Sequence, residues 1–370
     1  MVVNTLTRMF YRFAIRPETT ATESGTQTRQ ESKLNKKLFQ FLISGLSGIF
    51  LVAAAGGQDI LITQAADATA PTKRRGIITQ WLGKQITLES SGRARLVDSD
   101  TVIDLQTQWP DSYTQAVERM EQQQFAEAIP LLQAAITAEL RPWARRAIGG
   151  KLLECLIRTG NEASAIGEFV TITREDPETR FFNLAPLPWV SSVFMGNISN
   201  QAAGWMQSND PIEKLMGAAW SMSGNGRQAA VTAMKELSGN ENPCVAGLAK
   251  AQLWRTQSMS ASPDTIQRWE SQLNAMPPSV RAGAYLMLAD AQSRNELTDA
   301  AAINLMRIAV LHPEQHGLAA AALYRCADLR QNAGRLDQSR TLWAEVVRNY
   351  ENTIWAKQAS AKLNESNSKN

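Results

Sequence analysis

Histidine is nearly absent from these 370 residues, with only His312 and His316 present. A Ser-His-Asp or Cys-His set would have to draw on one of these two, which flank Pro313. Their i, i+4 spacing would suit a metal on a helix, but the proline falls between them and no cysteine or paired acid stands near in sequence. Cysteine is almost as scarce. Cys155, Cys244 and Cys326 are scattered, odd in number and set among apolar neighbours, which reads as buried free thiols rather than a disulfide framework. There is no phosphate loop, no dinucleotide fingerprint and no zinc spacing. Carboxylates such as Glu168, Glu175, Asp176 and Glu178 read as solvent-facing groups on helices. No catalytic residue, cofactor or metal site is expected, and the chain is not read as an enzyme.

A surplus of one charge is also lacking. The net charge is +3, and residues 1–37 alone hold seven basic side chains against three acidic ones. The remainder is close to neutral, so nucleic acid is not expected as a partner of the body of the protein. Residues 1–37 read as a basic disordered tail.

What is present begins with Leu38–Gly56, nineteen residues without a charge, preceded by Lys36 and Lys37. Residues 38–57 are read as a signal peptide or a transmembrane anchor. The small residues Ala53, Ala54, Ala55, Gly56 and Gly57 suit cleavage, while the long basic lead suits a retained anchor. Either reading places the rest outside the cytoplasm, periplasmic or secreted, with the membrane as a partner if the segment is kept. No cysteine stands near the end of the apolar run, so a lipid-attachment signal is not expected.

From residue 58 to 109 the pattern alternates. Strands are expected at 59–63, 75–81, 85–89, 93–97 and 101–107, with turns at Leu82-Gly83-Lys84, Ser90-Ser91-Gly92 and Asp98-Ser99-Asp100. Five short strands with tight turns suggest a small closed β-barrel, since closure removes exposed edges. Their order resembles the SH3-like and Sm-like barrels. Lys73, Arg74, Arg75, Lys84, Arg93 and Arg95 with Trp81 would form an RNA-binding face in such a fold, and solvated charges on a half-buried sheet are the plainer reading.

After Trp109-Pro110 the period becomes helical. Ser112 and Gln115 form a capping-box pattern opening the first helix. In the last clear pair, Leu336, Ser339, Trp343 and Val346 are spaced three, four and three, which puts them on one helix face. The same spacing recurs at Phe125, Ala128, Leu132 and Ala135, at Ala165, Phe169 and Ile172, and at Ala301, Leu305 and Ile308. Asp210-Pro211, Asn242-Pro243 and Ser262-Pro263 are helix starts. A stretch at 178–200, with four aromatic residues and two prolines, interrupts the pattern as an extended crossing or a packed loop. Residues 354–363 fit a terminal capping helix, and 364–370 a disordered tail.

These residues resemble the tetratricopeptide-repeat family, whose unit is two antiparallel helices over roughly 34 residues. The small residue of the second helix is Ala128, Ala165, Ala301 and Ser339, and the bulky residue four later is Leu132, Phe169, Leu305 and Trp343. Pro177 and Pro313 stand at the closing-proline position. The resemblance implies a mostly α fold, a right-handed α-solenoid of helical hairpins over 110–363, with the small N-terminal β-barrel domain before it. It also implies a protein-binding surface, because a helical array exposes a long face that takes a peptide or partner helix.

Arg141, Trp143, Arg145 and Arg146 on an early helix, and Phe181, Phe182 and Trp189 in the crossing, are the candidate partner-binding residues, since tryptophan and arginine supply tight contacts. The other helical tryptophans read as core. The function expected is an extracytoplasmic scaffold for a protein or peptide, with self-association open. A structural or assembly role in the cell envelope and a cell-wall processing enzyme are the alternatives.

Overall fold

The computed structural model of the chain describes residues 58–65, 67–189 and 198–368. The basic tail and Leu38–Gly56 lie outside the described residues. Among the described residues no helix is long and apolar enough to cross a membrane.

Five strands form one antiparallel sheet: β1 (Asp59–Thr63), β2 (Thr72–Leu82), β3 (Gln85–Ser90), β4 (Arg93–Asp98) and β5 (Val102–Gln106), in the order β4-β3-β2-β1-β5. Each expected strand forms close to its expected bounds. Strand β2 shapes the sheet. Its first half pairs with β1 and its second half with β3, with a register shift between Ile78 and Gln80 that bends it. The β3–β4 hairpin turns on Ser91 and Gly92, at φ 51° and 70°, as a two-residue turn between right-twisted strands requires.

The sheet is open, which corrects the expected closed barrel: β4 and β5 are its edges. The reason lies in what covers the inner face. Leu61, Ile78, Trp81, Ile86, Leu88 and Val97 are buried together with Trp143 and Ala144 of a helix, so a helix, not strand closure, takes up that apolar surface.

Fourteen helices follow among the described residues. The first four are α1 (Asp111–Glu121), α2 (Phe125–Ala138), α3 (Pro142–Arg158) and α4 (Glu162–Glu175). Next are α5 (Ile198–Met206), α6 (Pro211–Ser221), α7 (Arg227–Leu237), α8 (Pro243–Arg255) and α9 (Pro263–Ala275). The array ends with α10 (Arg281–Arg294), α11 (Thr298–Leu311), α12 (His316–Asn332), α13 (Leu336–Asn349) and α14 (Ile354–Ser368). The helix starts read from sequence are real caps at three places. Asp210 accepts from the amides of Ile212 and Glu213, Asn242 from those of Cys244 and Val245, and Ser262 from that of Thr265. The expected capping box at Ser112 does not form: α1 starts at Asp111, and the Tyr113 and Thr114 amides bond to the Pro110 carbonyl instead. At the other end α14 runs on to Ser368, so 364–368, expected to be disordered, is helical.

The small-then-bulky pairs are all buried: Ala128 and Leu132, Ala165 and Phe169, Ala301 and Leu305, Ser339 and Trp343. They sit on second helices α2, α4, α11 and α13. First helices are buried more completely. In α10 every residue from Ala282 to Ala289 is buried, and in α12 every residue from Leu318 to Leu323. Helices apolar all round belong in an interior, and the first helices α6, α8, α10, α12 and α14 also touch one another in succession. Between α8 and α9 the repeat consensus is faint. There the stacked rings of Trp254 and Trp269, with centroids 4.9 Å apart, fill the gap.

Candidate interaction surface

The expected site residues fall into two groups, both turned inward. Arg141, Trp143 and Arg146 join the helices to the sheet. Trp143 is 3 % exposed and its indole N–H donates to the Ile78 carbonyl at 2.9 Å. One turn on, Arg146 donates to the Trp81 carbonyl at 2.7 Å. Arg141 donates to Thr107 Oγ1 and to the Gln108 carbonyl, and pairs with Glu139 at 2.7 Å and with buried Asp59 at 3.5 Å. Burial alone would raise the Glu139 carboxyl, but the hydrogen bonds and charge of Arg141 hold it below its ordinary value. Asp59 is satisfied as well, accepting from the Ile78 amide and from Thr107 Oγ1. From α4's end, Asp176 accepts from the Gly83 amide at the β2–β3 turn, 3.0 Å to each oxygen. A cavity of about 20 Å³ lies at this joint beside Trp81, Trp143 and Arg180, room for one water. Arg145 is the exposed member of the group.

Phe181, Phe182 and Trp189 belong to a strap, residues 179–189, laid across the first helices. Arg180–Leu184 forms a 3₁₀ turn, and 185–189 is irregular, with a tight turn at Pro186 where the Leu187 amide bonds to the Ala185 carbonyl. Phe181 lies where a side chain at Gly150 of α3 would be, and Trp189 where one at Gly283 of α10 would be. Phe182 is 1 % exposed and meets Phe169 edge-on at 5.7 Å. Arg180 is sandwiched over Trp81 and Phe181, and burial lowers its pKa.

Buried irregular backbone must have its polar groups satisfied. The prolines carry no N–H to satisfy. The Pro186 carbonyl accepts from the Trp220 indole of α6 at 3.0 Å, and the Pro188 carbonyl from Gln252 and Arg255 of α8. The Leu187 amide bonds to the Ala185 carbonyl. Burial, with the nearby charge of Arg227, lowers the Arg255 guanidinium to about 10. Earlier in the strap, Asn183 donates to Glu314 in the α11–α12 turn at 3.1 Å. Four first helices, α3, α6, α8 and α10, thus hold one irregular, proline-bearing segment through ring slots and carbonyl-directed donors.

Beyond the strap, the first helices α10, α12 and α14 carry half-exposed groups that the sequence did not single out as a site. Asp290 of α10 pairs with Arg325 of α12 at 2.5 Å, with side chains 31 % and 29 % exposed. Tyr324 stands beside Trp355 of α14, ring centroids 5.4 Å apart. The signal was present in Leu318–Ala327, where Tyr324 and Arg325 interrupt a continuous apolar run. At the start of α12, burial and the Arg158 charge push His316 down to about 4, and its ring packs on Tyr350. Among the described residues no group of three or more His, Cys, Asp or Glu is placed to hold a metal ion.

No protein-family model matches the chain, and no curated protein matches it.

Proposed function

We propose that the protein is an extracytoplasmic binding scaffold, a right-handed solenoid of tetratricopeptide-like hairpins that takes an extended segment of a protein partner and performs no chemistry of its own. The observation that carries this reading is the strap. The first-helix layer already grips a non-helical, proline-bearing segment by its carbonyls and rings, through Trp220, Gln252, Arg255, Gly150 and Gly283. The partner's segment lies on the continuation of the same layer, over Asp290, Tyr324, Arg325 and Trp355, where an aromatic pair and an arginine remain half exposed. The basic lead followed by Leu38–Gly56 supports a position outside the cytoplasm, with the membrane as second partner if that segment is retained.

The experiment is capture from solubilised membranes with the full chain as bait, comparing wild type with Tyr324→Ala/Trp355→Ala. A protein recovered by wild type and lost with the double variant supports the reading. Equal recovery by both removes this surface from the account. Recovery of the chain's own second copy alone would replace the peptide partner by a structural, self-assembling role.

A further inference from the structure

We infer that the open end of the sheet's inner face is a binding site for clustered phosphate groups. The register places the residues. Leu61 pairs with Arg74, Leu88 with Arg95 and Ser90 with Arg93. Cross-strand partners share a face, and Leu61 and Leu88 are buried, so Arg74, Arg93 and Arg95 lie on the inner face. They stand beyond the part covered by Trp143 and Ala144. Lys73 and Arg75, opposite Ile62 and Ile60, alternate to the outer face of β2 and reach the cleft only at its rim. The cleft has a volume of about 560 Å³, with Leu88 and Val97 as an apolar floor and the hydroxyls of Thr72, Ser90 and Ser91 around it.

Acids in the sheet region are as numerous as bases, six of each over 58–109, yet they are kept out of this cleft. Asp59 is engaged by the Ile78 amide, Thr107 and Arg141; Asp98 caps the short turn before β5; and Asp100 pairs with Lys84. Glu89, opposite Ile77, and Asp104, opposite Ile62, face outward, and Asp67 lies in the β1–β2 loop. Among the described residues none of the five cations makes an ion pair; Arg74 is oriented by a hydrogen bond from Nε to Thr63 Oγ1 at 3.2 Å. Three arginines gathered on one concave face, with Lys73 and Arg75 at its rim, repel each other and favour any multiply charged anion that enters. Arginine forks match phosphate oxygens in pairs, and a single carboxylate would balance only one of them. A soluble polyphosphorylated molecule and an anionic lipid surface supply the same chemistry.

The test is calorimetric titration of the full chain in neutral detergent with sodium pyrophosphate. In parallel, micelles doped with phosphatidylglycerol or with phosphatidylcholine are titrated. Arg93→Ser/Arg95→Ser should weaken binding by about tenfold or more. Removal of two cations elsewhere, Lys235→Ser/Lys357→Ser, should leave it unchanged. Arg74→Gln, on the opposite wall, should repeat the loss even if the β4 pair disturbs the strand. Pyrophosphate binding identifies a soluble ligand as a source, and phosphatidylglycerol binding alone identifies the lipid headgroup. No binding of either by wild type, or equal weakening by the Lys235/Lys357 pair, would overturn the inference. So would tight binding of a short RNA with no response to pyrophosphate or lipid.

Discussion

The indole of Trp189 occupies the space that a side chain at Gly283 would need, and this fixes the strap to α10. A methyl group there overlaps the ring Cε2, Cζ2 and Cδ2 positions. Helix propensity alone would make alanine better than glycine by about 1 kcal/mol. Overpacking against a buried ring costs about 1–3 kcal/mol, so the clash should win. Gly283→Ala is therefore expected to lower the melting temperature. At Gly167 of α4, nothing lies within 4 Å of an added Cβ, and Gly167→Ala should raise it by the propensity term alone. Equal shifts at the two positions would mean that the strap does not seat on α10.

Trp143 ties the sheet to α3 through its N–H to the Ile78 carbonyl. Trp143→Phe keeps most of the apolar contact and removes the donor, leaving a carbonyl in the interior of the joint. The expected cost is about 1–3 kcal/mol. Hydrogen exchange should quicken in β2 and β3 more than in α10 or α12. Uniform acceleration would show that the joint is not a local one.

Glu168 of α4 is raised to about 7, first by burial and then by the charge of Glu175. Its ordinary value is 4.5, so the folded state holds the proton more tightly between these values. The stabilising contribution is complete below about pH 4.5 and is lost as pH rises through about 7. Glu168→Gln should thus match wild type at low pH and exceed it above pH 7, by up to about 3 kcal/mol. Thermal melts of both proteins across this range check the sign. His316 acts in the opposite sense: depressed to about 4, it costs stability as pH falls from about 6.5, in both proteins alike.

Burial pushes the Cys155 thiol up to about 12 and Cys326 to about 11, and neither makes a disulfide. Both should resist thiol reagents at neutral pH in the native protein and react on unfolding. Cys244 is less buried, with its sulfur 3.9 Å from Ser279 Oγ, and should react first. Rapid native labelling of Cys155 would contradict the packing of α3.

The strands and most helix bounds were legible because alternation, the three-four spacing and the Asp-Pro, Asn-Pro and Ser-Pro caps act locally. The open sheet was not. Whether β4 and β5 close a barrel depends on Trp143, far downstream in the sequence, supplying the missing apolar cover. Arg141 and Arg146 looked like surface cations because charge usually faces water, and nothing local reveals that the Gln108 and Trp81 carbonyls lie opposite them. The strap had a visible composition but no periodicity. Its place on the first helices follows from glycines at 150 and 283, far apart in sequence. Tyr324 and Arg325 were readable as a break in an apolar helix, and the exposure that makes them a candidate surface is tertiary.

The most direct measurement places a photo-activated crosslinking residue at Tyr324, on the first-helix layer, and separately at Ile303, exposed at 48 % on second helix α11. After irradiation of whole cells, the account predicts a crosslinked partner from position 324, attached through an extended segment identified by mass spectrometry, and none from 303. A partner crosslinked at 303 and absent at 324 would contradict it.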